Sequence, residues 1–277
     1  MTIRQCRTIF TDALIALYDA DEALSIFYRW AQSRLGISRV QISINPEKAL
    51  NADEVAVFET DLTRLKSGEP IQYVLGEASF YGLEFIVTPA VLIPRPETEE
   101  LVDWIVKSNP AGEILDVCTG SGCIAVSLAK ALSRRVTAID ILAEALEIAR
   151  QNASANQANV NFIQADALNL PPCETRYDVI VSNPPYVRNS EKSEIKPHVL
   201  DHEPHLALFV PNDDALIFYR AIGQWAKTQL TPMGKLYFEI NQYLGEQTVN
   251  LMLELGFLQV ELKKDLAGND RMICCYS

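Results

Sequence analysis

The sequence lacks most of what would mark a membrane, secreted or metal-bound protein. No apolar run approaches the roughly 20 residues needed to cross a bilayer. Near the start, Arg4 and Arg7 are followed by Asp12 and Asp19 rather than by a long apolar core and a cleavage site, so no signal peptide is expected. The six cysteines (Cys6, Cys118, Cys123, Cys173, Cys274 and Cys275) form no C-x-x-C pair and no disulfide framework. That pattern points to a reducing, cytoplasmic setting. Histidine is scarce. His198, His202 and His205 lie close together beside Asp201 and Glu203, but Pro197 and Pro204 interrupt any helical ligand face and no cysteine joins them, so no metal site is expected. Basic residues are outnumbered, 24 against 36 acidic, for a net charge of −12. This argues against sequence-independent binding to a phosphate backbone, which rests on Lys and Arg, although a local basic patch stays compatible with it. It suits a small molecule, or a protein with a basic surface. Neither internal repeats nor low-complexity tracts occur.

What is present is ordinary globular composition, 48% hydrophobic and 22% charged over 277 residues. That length suits one large domain, or one ordinary and one small domain. Residues 1–75 read as a small helical bundle. Leu14, Leu17, Ala20, Leu24 and Phe27 recur at helical spacing through Trp30, and further helices are expected to open at Asn45-Pro46-Glu47 and at Ala52-Asp53-Glu54. Residues 76–95 read as a β-hairpin linker, with an aromatic and β-branched run from Phe80 to Val87 and a turn near Gly82. Pro96 suits the first turn of a helix reaching about Lys107, and Glu97, Glu99 and Glu100 suit its dipole. Arg95 reads either as a brace for a site or as a structural ion pair.

From 96 to 277, strands and helices alternate. Strands are predicted at Ile114–Val117, Val136–Ile139, Val160–Ala165, Asp178–Ser182 and Lys235–Ile240, with helices over 122–132, 142–155, 213–230 and 244–255. Two late strands, Leu258–Lys263 and Met272–Tyr276, read as an antiparallel edge hairpin. The fold class is α/β, a mostly parallel seven-stranded sheet with helices on both faces.

The ends of these strands carry the chemistry. Asp116-Val117-Cys118-Thr119-Gly120-Ser121-Gly122 leaves the first strand and opens a helix, whose N-terminal N–H groups suit a carboxylate or phosphate. Gly120 and Gly122 let the backbone approach a ligand closely, though a tight strand-to-helix turn needs them as well. Asp140 ends the second strand, where an acidic residue commonly binds ribose hydroxyls; it also suits an N-cap. Asp166-Ala167-Leu168 ends the third strand, beside the expected adenine position, and Asp166 is equally a turn residue. Asn183-Pro184-Pro185-Tyr186 ends the fourth. Its prolines stiffen the corner and remove backbone donors. The Asn183 oxygen and a proline-flanked carbonyl together accept both hydrogens of a planar –NH2 group, against which the Tyr186 ring lies flat. A dinucleotide turn fits the glycine spacing poorly and leaves this corner unexplained. S-adenosylmethionine accounts for both halves: a nucleoside with an amino-acid tail, and a methyl group for the held nitrogen.

With these residues in place, the chain resembles the bacterial release factor glutamine methyltransferases, the PrmC/HemK family of class I S-adenosylmethionine-dependent enzymes. The resemblance spans nearly the whole length. It rests on Gln72-Tyr73 with Gly76, on Leu92-Ile93-Pro94-Arg95-Pro96-Glu97-Thr98-Glu99, on the Asp116–Gly122 turn and on Asn183–Tyr186. It continues through Glu203-Pro204-His205-Leu206-Ala207-Leu208 and Asp265-Leu266-Ala267-Gly268-Asn269-Asp270-Arg271. Asn-Pro-Pro-Tyr alone is shared with DNA adenine methyltransferases; the combination is far more specific. The resemblance implies a Rossmann-like class I methyltransferase domain behind a helical domain that helps dock the substrate. It implies methylation of the side-chain amide of the glutamine in the Gly-Gly-Gln tip of peptide chain release factors, a tuning of translation termination. By the same analogy Cys118, Thr119, Gly120, Ser121 and Gly122 cradle the methionine part, next to Asp116. Asp140 holds the ribose, Asp166, Ala167 and Leu168 border the adenine, and Asn183, Pro184, Pro185 and Tyr186 are catalytic, with Asn183 also bordering the cofactor. The implied partner is a release factor rather than nucleic acid or membrane, and the enzyme is expected to be monomeric. Cys118 stands where the family usually has glycine, and Asn241 replaces a glycine after the fifth strand. Two rival readings are a nucleic-acid adenine methyltransferase and a non-catalytic adaptor for release factors. Net charge disfavours the first, and the intact Asn183 corner the second.

Overall fold

The computed structural model describes residues 1–195 and 197–277 and divides into two units. The first comprises Met1–Glu77 together with the segment 197–202; the second comprises Ala78–Ile195 and Glu203–Ser277.

The first unit carries α1 (Ile3–Leu14), α2 (Ala20–Leu35), α3 (Arg39–Ile44), α4 (Ala52–Lys66) and α5 (Ile71–Leu75). Thr2, Ser38 and Asn51 start their helices with reciprocal capping boxes, and the Asp19 carboxylate caps α2. That Asp19 cap divides the stripe expected from Leu14 to Trp30. Leu17 falls in the break and is 51% exposed, while Phe10, Phe27, Trp30 and Phe58 form the aromatic centre of the core. The one buried carboxylate among them, Asp61, is matched by Trp30 Nε1 at 3.0 Å and Arg34 Nε at 2.7 Å. No helix opens at Asn45-Pro46-Glu47. Asn45 closes α3 instead, Pro46 and Glu47 form a turn closed by Lys48 N on the Asn45 carbonyl, and the carbonyls of Pro46 and Lys48 accept from Arg4 N and Ile3 N, which holds that turn against the chain start.

The second unit begins with a hairpin, β1 (Glu77–Phe80) and β2 (Leu83–Ile86), turned by Tyr81 and Gly82 at φ 49° and 73°. The sequence sets 76–95 apart as a linker; Phe80 and Phe85 lie in the second unit's core, and the division falls after Glu77. There follow α6 (Pro96–Ser108), β3 (Ile114–Val117), α7 (Cys123–Leu132), β4 (Val136–Asp140), α8 (Ala143–Ala155), β5 (Val160–Gln164) and β6 (Tyr177–Ser182). After β7 (Val187–Arg188) and a short 3-10 turn comes α9 (Pro197–His202), the segment that belongs to the first unit. The chain then returns through β8 (Phe209–Val210), α10 (Ile217–Gln229), β9 (Leu230–Glu239), α11 (Gly245–Glu254), β10 (Gln259–Lys264) and β11 (Asp270–Tyr276).

The main sheet is seven-stranded in the order β10-β11-β9-β6-β3-β4-β5, with β11 antiparallel to both of its neighbours. This is the mostly parallel sheet with an antiparallel edge that the alternation predicts. Both faces are covered, so its central strands are continuous apolar runs. Along β6, Val179 and Val181 face one core cluster, with α6 and α7, while Ile180 faces the other, with α10 and α11. The order reverses between β3 and β6, and a crevice opens there at the strands' carboxyl ends. The pair of short strands β7 and β8, parallel to each other, was not legible in the sequence.

Candidate active site

At that reversal β3 and β6 part. Ser182 Oγ donates to the Val117 carbonyl at 2.7 Å, and Thr119 N bonds the Ile139 carbonyl of β4 at 2.9 Å. The loop from Cys118 to Gly122 is thereby turned over the strand ends. A cavity of about 220 Å³ lies against it. Of the residues singled out in the sequence, Cys118, Thr119, Gly120, Ser121, Asp140, Asp166, Ala167, Leu168, Asn183 and Pro185 line this cavity. Asp116, Gly122, Pro184 and Tyr186 are not among its lining residues.

The two glycines of the turn do different work. Gly120, at φ 53°, faces the cavity, and nothing lies within 4 Å of where a Cβ would stand. Gly122, at φ 80°, packs α7 on α8; a Cβ there would come within 3.1 Å of the Ala149 Cβ. Cys118 takes the left-handed conformation at φ 63°, which explains why glycine suits this position. Its side chain packs against the α10 side of the core, and burial, reinforced by the Asp140 charge, pushes its thiol well above the usual range.

Three carboxylates organise the loops at the ends of β3, β4 and β5. Asp116 is fully buried behind the loop, where Oδ2 accepts from Thr119 Oγ1 at 2.6 Å and from Ala125 N at 3.2 Å, while Oδ1 has no partner. Burial pushes this carboxyl up to about 7. Asp140 accepts from Gly120 N at 2.8 Å through Oδ2 and from Leu142 N at 3.0 Å through Oδ1. Burial raises its pKa against these backbone bonds. Each of its oxygens keeps a further lone pair, enough for a pair of vicinal hydroxyls. Asp166 accepts from Leu168 N at 2.9 Å and from Asn169 Nδ2 at 2.7 Å, which shapes the backbone of the turn at the cavity edge.

The corner after β6 is held by side chains from distant elements. Asn183 Nδ2 donates to Thr98 Oγ1 at 3.3 Å, and Thr98 Oγ1 donates to Glu239 Oε2 at 2.6 Å. Tyr186 OH donates to the other carboxylate oxygen, Oε1, at 3.0 Å. Burial raises the pKa of Glu239, and the Thr98 and Tyr186 hydrogen bonds with the Arg271 charge oppose that rise. Asn241 completes the frame: its Nδ2 donates to the Tyr186 carbonyl and to Glu191 Oε2, each at 3.0 Å. Thr98 and Glu239, which hold this corner, were not singled out as site residues in the sequence. The available signal was a carboxylate ending the apolar run Leu236-Tyr237-Phe238, a place where a charge is costly without partners.

Around the site, Arg95 lines the cavity and also pairs with the buried Glu203 at 2.6 Å, so the brace and the ion pair are one arrangement. Glu99 and Glu100 accept from Tyr81 N and Leu266 N and so tie two hairpins to α6, beyond any dipole effect. The histidines sit apart in their contacts, His198 against the Tyr18 ring and His205 against Phe209.

Known proteins resemble this chain in sequence and fold. Residues 97–203 match the family model described as methyltransferase small domain, and residues 8–76 match the PrmC N-terminal domain. A release factor glutamine methyltransferase of Flavobacterium psychrophilum is 48% identical over 99% of this chain and 98% of its own. One of Bacteroides thetaiotaomicron is 45% identical over 93% and 94%, and one of Enterococcus faecalis 39% identical over 91% of each chain. Among solved structures, the Thermus thermophilus 16S rRNA N2 G1207 methyltransferase RsmC superposes with a TM-score of 0.54 at 18% identity, covering 73% of this chain and 49% of that one. A methyltransferase from Pyrococcus furiosus gives 0.53 at 18% identity, covering 82% and 98%. These two share the fold. With relatives this similar along its full length, the chain belongs to the release factor glutamine methyltransferase family.

Proposed function

We propose that this protein transfers a methyl group from S-adenosylmethionine to the side-chain amide nitrogen of the glutamine in the Gly-Gly-Gln tip of a peptide chain release factor. The observation that carries the reading is the shared cavity. Asn183, anchored through its own NH2, borders the same space as Asp140 and Asp166. The cofactor fits the residues present. Asp140 has lone pairs for the ribose hydroxyls, Ala167 and Leu168 offer an edge for the adenine, and the open Gly120 face admits the amino-acid tail. When bound, S-adenosylmethionine supplies a methyl group on an electrophilic sulfonium.

The protein's task is to make a poor nucleophile react. The lone pair of an amide nitrogen is delocalised into its carbonyl. Asn183 Oδ1 accepts one of the two amide hydrogens and orients the nitrogen, and such positioning contributes on the order of 7–11 kcal/mol in favourable cases. The same acceptor stabilises positive charge growing on nitrogen during transfer, and the nitrogen then gives up one of its two protons to solvent. On this reading the helical N-terminal segment, residues 1–75, docks the release factor, and the enzyme works as a cytoplasmic monomer on protein rather than on nucleic acid. The match of residues 8–76 to the PrmC N-terminal domain supports the docking part of this reading. Among the described residues, no helix is long and apolar enough to cross a membrane.

The test is transfer of labelled methyl from S-adenosylmethionine to a purified release factor, with its Gly-Gly-Ala variant and duplex DNA in parallel. Label on the wild-type factor alone is expected. Label on DNA would move the chain to the nucleic-acid enzymes.

A further inference from the structure

We propose that Thr98 and Glu239 are positioning residues that set which end of the Asn183 amide faces the cavity. The inference rests on the reading that Asn183 holds the substrate amide. Glu239 is 1% exposed, and each of its oxygens takes one hydroxyl, Thr98 at 2.6 Å and Tyr186 at 3.0 Å. As a carboxylate it can only accept. Thr98 has a single hydroxyl hydrogen, and Glu239 takes it. Toward Asn183, Thr98 therefore presents lone pairs alone, and only the Asn183 NH2 can meet them, at 3.3 Å. Oδ1 is left for the cavity that Asn183 and Thr98 both line.

The opposite orientation fails at both ends. Oδ1 would stand against Thr98 lone pairs, and the Asn183 NH2 would confront the substrate's own NH2, donor against donor. An asparagine amide is otherwise nearly symmetric in shape, so packing alone discriminates weakly between its two faces. A buried negative charge, one hydroxyl removed, supplies the discrimination. The same carboxylate fixes Tyr186 through its hydroxyl, so both side chains flanking the proline pair take their orientation from Glu239. Isolated burial of a carboxylate is costly, and its two hydroxyl donors together with the Arg271 charge are what make Glu239 tenable there.

The experiment compares Thr98→Val, which keeps the branched shape but has no hydroxyl, with Thr98→Ser, which keeps the hydroxyl. Methyl transfer to a release factor is measured for kcat and KM, S-adenosylmethionine affinity by calorimetry, and the Asn183 side-chain NH2 by NMR of asparagine-labelled protein. The Val variant is expected to lose kcat by ~10- to 100-fold, the scale of a misoriented reacting group. Its cofactor affinity should stay unchanged and its Asn183 NH2 signal should lose protection from exchange; the Ser variant should keep both activity and protection. Equal losses in both variants, or wild-type kcat in the Val variant, would overturn the proposal. Polarity is tested by sign in a second cycle. Asn183→Asp sets a carboxylate against the committed Thr98 oxygen. Adding Glu239→Gln offers an N–H to Thr98 and frees the Thr98 hydrogen for the carboxylate newly placed at the corner. N183D/E239Q should therefore outperform N183D alone, although E239Q by itself impairs the enzyme. A double variant worse than N183D would refute the polarity argument. If wild-type protein transfers no methyl to any release factor, the substrate reading fails, and the NH2 protection measured in the free enzyme still decides the network.

Discussion

The two halves of the site are built by opposite means. On the cofactor side, Asp140 and Asp166 are held by backbone N–H groups within their own turns or from the neighbouring loop. On the acceptor side, Asn183 is held by a hydroxyl 85 residues away, and that hydroxyl by a carboxylate 141 residues distant from it. Backbone-held carboxylates come with the strand-turn-helix architecture and tolerate variation around them. A side-chain relay depends on each member. The cofactor half should therefore degrade gradually under mutation, and the acceptor half abruptly.

The largest expected effect is at the corner itself. Asn183→Ala should lower turnover by ~10²–10³-fold, the scale seen when one oriented polar partner of a transition state is removed. S-adenosylmethionine affinity measured by calorimetry should hardly change; a matching loss of affinity would merge the two halves into one. Next comes Asp140→Ala, which should weaken S-adenosylmethionine binding by on the order of 10- to 100-fold, as expected for lost hydrogen bonds to a charged group. Saturating cofactor should restore much of the rate, which it cannot do for the Asn183 variant.

A subtler contrast is in pH. Burial holds the Asp116 carboxyl near 7 against an ordinary value of 3.8, so the folded protein keeps a proton that the unfolded chain releases. Its contribution to stability is undiminished below the unfolded pKa, falls as pH rises through that interval and levels off above about 7. Asp116→Asn removes the titration, so the variant's Tm minus that of the wild type should grow from about pH 5 to about pH 7. A difference that shrinks would reverse the sign. The smallest effect is at Cys118. Replacing it with glycine relieves ~1 kcal/mol of left-handed strain, which glycine's greater unfolded freedom and the lost packing of the side chain offset, so chemical denaturation should show a net change within about 0.5 kcal/mol of zero.

This contrast also accounts for what could be read in the chain. The strand at Ile114–Val117, the turn after it and Asp140 at the end of β4 are local patterns, and the structure has them where periodicity puts them. The parallel sheet follows from alternation and its antiparallel edge from the spacing of the last two strands, whereas the strand order is a tertiary outcome. Thr98 and Glu239 were visible as letters, but their partnership is a product of tertiary folding and leaves no local pattern. The break at Asp19 escaped because apolar spacing continues across a cap, and the φ of Cys118 because a side chain other than glycine gives no sign of a left-handed backbone. Gly122 was read for ligand approach or for a tight turn, and the closeness of Ala149 adds a packing reason that has no local signal.

The excursion that sends α9 into the first unit has a consequence for modularity. A domain attached by one linker can be deleted at one boundary, exchanged between proteins or expressed alone. Here the polypeptide enters the N-terminal unit a second time, between the Asn183 corner and the Glu203-Pro204-His205 stretch, so the two units are stitched rather than appended. Cutting at residue 77 leaves a piece of the first unit behind in the second, so a fragment ending there lacks α9.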